Sequence, residues 1–132
     1  MTLRWVYAVW LGSALLAITA LVHLTGFPAI PASPPITDAS TFYEAVLRPL
    51  WLFASIHWLL IATVCVLVAR SPWGAARIVL RCCGGFVLVD SAVLYWFIGP
   101  FVGVWLLAVA GAALMVATPG RSRPTTANSE RD

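Results

Sequence analysis

The chain has 132 residues, of which 61% are hydrophobic and 10% charged, with a formal net charge of +3. Soluble proteins carry about 45–50% apolar and about 25% charged residues, and a small particle cannot hide such an apolar excess from water. The positive charge is too weak to indicate nucleic-acid binding. The composition therefore predicts a single integral membrane domain.

Four apolar runs predict four spans. Each run has about 20 residues, which at about 1.5 Å per residue matches a hydrocarbon thickness of about 30 Å. The first run also resembles a signal peptide, but it is longer than an h-region of about 7–15 residues, so we expect it to be retained. The sequence thus predicts an all-α, four-helix transmembrane bundle within residues 1–118 and a polar, disordered tail over 119–132. The predicted spans cover about residues 5–24, 49–69, 78–98 and 100–118.

A short amphipathic helix is predicted before the second span. Thr41 and Glu44 have the spacing of a capping box, and Glu44 and Arg48 are four apart in the order that favours an ion pair. Pro49 predicts a kink or a restart at the span itself. We expect Glu44 and Arg48 to form either a rim that receives a polar headgroup of a substrate or a solvated helix face.

The arginines predict the topology. Nearly all of them lie at the N-terminus, in the loop between spans 2 and 3, and in the tail, whereas Arg48 stands alone on the other side. The positive-inside rule then places both termini in the cytoplasm, in a multi-pass protein of the cell (inner) membrane surrounded by lipids.

Two ionisable residues lie near the middle of apolar runs, His57 in span 2 and Asp90 in span 3. Counting at about 1.5 Å per residue places both roughly 3 Å to the outer side of the midplane. A carboxylate at this depth costs about 2.5–3.5 kcal/mol on insertion scales, so a partner or a role is expected. Because consecutive antiparallel helices normally pack together, a pairing of Asp90 with His57 is the natural proposal, although equal depth does not establish that the two side chains face each other.

This pair has two interpretations. As a catalytic dyad, Asp90 and His57 would act as acid and base on a lipophilic substrate. As polar glue, they would contribute one interhelical hydrogen bond of about 0.6 kcal/mol. Trp58 lies inside its span, where it is expected either to pack in the aromatic core or to stack on a flat lipophilic ligand. Tyr95 is a further candidate for substrate binding, although a spacing of five from Asp90 places it off that face.

The sequence predicts no cofactor. His23 lies at the outer end of span 1, roughly 10 Å from the predicted depth of His57, whereas two haem ligands must lie at one level. The cysteines, Cys65, Cys82 and Cys83, lack metal-ligand spacing and predict no disulfide framework.

The order of elements resembles that of small bacterial four-helix membrane proteins of unknown function. The features in common are the Phe42-Tyr43-Glu44…Arg48 entry to span 2, a basic loop, and Gly99-Pro100 between spans 3 and 4. The resemblance implies an architecture and no activity.

Three functions are compatible with the sequence. The first is an accessory or structural membrane protein. The second is a membrane enzyme that performs isomerisation, cyclisation or epoxide opening on a lipophilic small molecule. The third is a transporter subunit with a proton site, and because four spans leave little room for a pore, it requires a homo-oligomer or a membrane partner subunit.

Overall fold

The computed structural model describes residues 3–30, 35–71 and 75–117. These residues form four α-helices and a short 3-10 turn at Phe27–Ala29 after the first helix. The predicted all-helical fold is confirmed, while the predicted tail over 119–132 lies outside the described residues. The helices are α1 (Leu3–Thr25), α2 (Ala39–Arg70), α3 (Ala76–Ile98) and α4 (Val102–Val116).

Three of the described helices, α1, α2 and α3, are long and apolar enough to cross a membrane. The fourth, α4, is strongly apolar but has only 15 residues. At about 1.5 Å per residue it is roughly 22 Å long, which is short of a full hydrocarbon thickness.

The prediction of a separate amphipathic helix before span 2 is wrong, because α2 continues through Pro49 as one helix of 32 residues. Proline holds φ near −65°, a value compatible with a helix, and its cost is one missing backbone hydrogen bond. The other backbone groups keep their helical hydrogen bonds as α2 continues, so only the bond that the Pro49 nitrogen cannot donate is lost.

The cap of α2 also lies three residues earlier than predicted. The Asp38 carboxylate accepts a hydrogen bond from the Thr41 backbone N–H at 2.9 Å, and the Thr41 hydroxyl accepts one from the Asp38 N–H at 3.0 Å. The hydrogen bond from the Thr41 backbone, aided by the Ser40 and Thr41 hydroxyls, lowers the pKa of Asp38 below its ordinary value. Thr41 thus closes the capping box from its third position, and Glu44 takes no part in it.

The helices run up, down, up and down, so α1 starts and α4 ends on the same side of the bundle. α1 packs against α2 and α4, and α3 packs against α4. The contact between α2 and α3 is the least extensive of the four neighbouring pairs. The largest side chains at the centre are fully buried: Leu16, Leu80, Leu107 and Leu114.

Glycines let α4 approach its neighbours closely. A Cβ added at Gly84 would lie 2.8 Å from the carbonyl oxygen of Gly111, and one at Gly111 would lie 2.9 Å from that of Gly84. On the other side of α4, a Cβ at Gly12 would lie 2.8 Å from the Leu114 side chain. Small residues at such crossings drive helix association in membranes, where van der Waals packing replaces the hydrophobic effect.

Candidate functional site

Asp90 forms the centre of a polar network between α2 and α3. Its Oδ2 lies 3.3 Å from Nε2 of His57 and accepts a hydrogen bond from Nε1 of Trp58 at 3.1 Å. His57 and Trp58 are adjacent in α2, and both reach the same carboxylate oxygen. The contact that the equal depths of His57 and Asp90 predict is therefore present.

The network faces an open groove. The His57 side chain is 36% exposed and that of Asp90 31% exposed. The groove has a volume of about 310 Å³. Phe53 forms one wall and stacks on the His57 ring, with the ring centroids 6.0 Å apart and the planes 16° from parallel. Val93 and Leu94 line the opposite side. A small molecule within this groove would touch both ionisable groups.

The geometry pairs a proton donor with a proton acceptor. The Trp58 indole N–H can only donate, so Oδ2 of Asp90 must accept from it. Nε2 of His57 lies 3.3 Å from the same oxygen, close enough for a proton to pass between the two groups. Oδ1 of Asp90 has no hydrogen-bond partner among the described residues, which leaves one carboxylate oxygen available to a molecule in the groove.

The other predicted binding residues lie away from this groove. Tyr95 is half exposed and its ring lies 6.4 Å from that of Trp105 on α4. Glu44 is exposed. The Arg48 guanidinium lies 4.9 Å from the centre of the Phe27 ring, and the predicted Glu44–Arg48 ion pair does not form among the described side chains. A substrate-binding role for these three residues stays a prediction.

A second cluster surrounds His23, at the α1–α2 interface. Nδ1 of His23 lies 2.9 Å from the Ser55 hydroxyl, and its ring stacks on Trp51 with centroids 4.0 Å apart and planes 13° from parallel. The Trp51 indole donates to the His23 carbonyl at 2.6 Å. The edge of Trp58 completes the cluster at 5.2 Å between centroids.

His23 lies between Trp51 and Ser55 along α2, which stand six and two residues before His57. At about 1.5 Å per residue this corresponds to an offset of roughly 3–9 Å from His57, against the roughly 10 Å expected from the sequence. His57 turns towards α3 and Ser55 towards α1, so the two rings serve different interfaces.

Sequence reasoning missed this cluster, although the spacing of its α2 residues is a recognisable pattern. Trp51, Ser55 and Trp58 follow the i, i+4, i+7 spacing that marks one face of a helix. A polar and aromatic stripe in an apolar helix is the available signal. The partner on α1 depends on the register between two helices, which spacing along one helix does not contain.

No protein-family model matches the sequence, and comparisons with curated proteins and with solved structures gave no match. Within the described residues, no group of three or more His, Cys, Asp or Glu side chains is placed to hold a metal ion. The two features of the structure that bear on function are the polar network in the α2–α3 groove and the cluster around His23.

Proposed function

We propose that the chain is a multi-pass protein of the inner membrane, with all four helices in the bilayer and both termini in the cytoplasm. The support is the length and apolar character of α1, α2 and α3 and the distribution of arginines. α1 supplies fully buried core residues such as Leu16 and Ala20, which favours its retention as a span over removal as a signal peptide. A helix as short as α4 is accommodated by local thinning of the bilayer.

Within this frame we propose that the α2–α3 groove is an acid–base site for a lipophilic substrate. The observation that carries the proposal is that the His57–Asp90 pair opens into the groove at the loosest helix interface. A pair that only joined helices would gain most from being enclosed between them. An ionisable pair in a membrane span that remains accessible to a small molecule is more typical of a functional site.

The pair suits an isomerisation. Oδ1 of Asp90 would remove a proton from a carbon of the substrate, and Nε2 of His57 would return a proton at a second carbon. Trp58, hydrogen-bonded to Oδ2, would hold the carboxylate so that Oδ1 faces the substrate. Asp90 would then pass the proton it gained to His57 across their 3.3 Å contact, which restores the starting pair without a further reagent. The apolar walls, among them Phe53 and Leu94, would hold the hydrocarbon part.

One observation favours the alternative of an accessory protein without catalysis. Both partners of Asp90 come from α2, so the network ties α2 to α3 where apolar packing between them is least. In that case the loss of charge at Asp90 would change stability slightly and nothing else. The transporter subunit stays a prediction from the sequence.

The two functions separate in a deletion strain of the producing organism. The strain is complemented with the wild-type gene, with Asp90→Asn or with His57→Gln, and lipid extracts are compared by chromatography that resolves isomers of equal mass. We expect the wild-type gene to restore a lipophilic product, and both variants to accumulate its isomer as the deletion does.

Asp38→Asn is the matched control, because it makes the same change at an exposed carboxylate outside the groove. Thermal unfolding in detergent verifies that each variant is folded. Full restoration of the product by folded Asp90→Asn would reject the acid–base proposal and leave the accessory function.

A further inference from the structure

A second cavity, distinct from the α2–α3 groove, lies between α1, α2 and the α3–α4 turn. Its volume is about 410 Å³. This falls within the range of about 300–1,000 Å³ that is typical of small-molecule sites. Val22, Leu94, Phe101 and Leu107 supply much of its wall, and no Arg, Lys, Asp or Glu among the described residues lines it. The cavity is thus suited to an uncharged, lipophilic occupant.

Among the described residues that line this cavity, one polar side-chain atom has no hydrogen-bond partner. The Thr19 hydroxyl donates to the Leu15 carbonyl, the Trp51 indole to the His23 carbonyl, and the Trp58 indole to Asp90. Nδ1 of His23 is engaged by Ser55. Nε2 of His23 is the atom that is left.

The His23 ring is held in place before any ligand arrives. Ser55 fixes one nitrogen, Trp51 stacks on the face, and Trp58 meets it edge-on. Since Nδ1 is engaged in either tautomer, Nε2 carries a lone pair in one tautomer and a proton in the other. A hydroxyl group, which both donates and accepts, complements Nε2 in both cases, whereas a carbonyl oxygen complements only one.

We infer that this cavity binds an uncharged lipophilic alcohol or phenol, with its hydroxyl group at Nε2 of His23 and its apolar body among the side chains of α1, α3 and α4. This site does not use the His57–Asp90 pair, although Ala54, Trp58 and Leu94 line both the cavity and the groove. Trp58 stands in the wall between them and donates its only N–H to Asp90 on the groove side. The cavity and the groove therefore accept different chemistry.

The test is photolabelling of the full chain in phosphatidylcholine–phosphatidylglycerol vesicles. The probes are a diazirine-bearing medium-chain alcohol and the diazirine-bearing alkane of the same length, and labelled residues are located by mass spectrometry. We expect the alcohol to label the cavity walls in roughly three- to tenfold excess over the alkane, the value of one net hydrogen bond. His23→Phe keeps an aromatic ring but removes Nε2, and should erase the excess.

A pair of variants on α4 gives a second measurement that does not depend on changing His23. Leu106→Trp places bulk in the cavity and should reduce alcohol labelling there. Val109→Trp introduces the same bulky side chain on an exposed face of α4 and should leave labelling intact. Equal labelling by alcohol and alkane in the wild type, as expected for a cavity that holds ordinary acyl chains, would overturn the inference. Undiminished labelling in folded Leu106→Trp would do the same.

Discussion

The α3–α4 and α2–α3 interfaces are held together by opposite means. Between α3 and α4, Gly84 and Gly111 bring the two backbones into direct contact. The Ser91 hydroxyl, buried at this interface, donates to the Val104 carbonyl at 2.9 Å. Between α2 and α3 the packing is sparse, and the best-defined contacts are those of Asp90 with His57 and Trp58.

This contrast separates stability from function. Close contact between the two backbones leaves no room for a ligand, so the α3–α4 interface is suited to holding the bundle together. The α2–α3 interface leaves a groove with ionisable groups, which costs packing and gains access to a ligand. Changes at the α3–α4 interface should therefore affect folding, and changes at the α2–α3 interface should affect mainly the proposed acid–base activity.

The largest effect on stability is expected at Gly84. Gly84→Ala places a methyl group 2.8 Å from the Gly111 carbonyl oxygen, so α3 and α4 must separate. Overpacking of this kind costs about 1–3 kcal/mol in the free energy of unfolding. Denaturation in mixed micelles, followed by circular dichroism, measures the change.

The next residue provides the matched control. A Cβ at Gly85 meets nothing within 4 Å, so Gly85→Ala should raise helix stability by about 0.5–1 kcal/mol. Equal effects of the two substitutions would contradict the assignment of this interface as the tight one.

A smaller effect is expected at Trp58. Trp58→Phe removes the N–H that Asp90 accepts while keeping an aromatic ring in the wall. Interhelical hydrogen bonds in membranes average about 0.6 kcal/mol and reach about 1.7, so we expect a loss within that range, below that of Gly84→Ala. Trp105→Phe, on the exposed face of α4, should change the free energy of unfolding little. If Trp58→Phe lowered the free energy of unfolding more than Gly84→Ala, the α2–α3 interface and not the α3–α4 interface would be the one that holds the bundle together.

The smallest effect concerns the first turn of α2, away from both interfaces. The folded pKa of Asp38 lies below its ordinary value because Thr41 donates to the carboxylate. Its contribution is therefore complete above the unfolded pKa of about 3.9 and is lost as the pH falls through the lower folded value. We expect the Thr41 amide resonance to shift in that acidic range, with no change at the α2–α3 groove. A Thr41 amide that does not titrate would refute the cap.

The amino-acid sequence by itself determines the helical class, because long apolar runs with few charges admit no other structure in a bilayer. It also predicts that His57 and Asp90 lie at the same depth, because depth along a helix follows from counting residues. That the two side chains face each other depends on the rotation of α2 and α3, which only the structure supplies.

The tertiary structure decided everything that depends on register and rotation between helices. The local sequence at Pro49 indicates a kink or a restart, yet α2 continues through it as one helix. His23 meets Ser55 and Trp51 through the register and rotation of α1 against α2. The α2–α3 groove is open because the closest backbone contacts lie elsewhere, at Gly12, Gly84 and Gly111. Which helices approach most closely is settled by all four surfaces together, and no single run of residues contains that information.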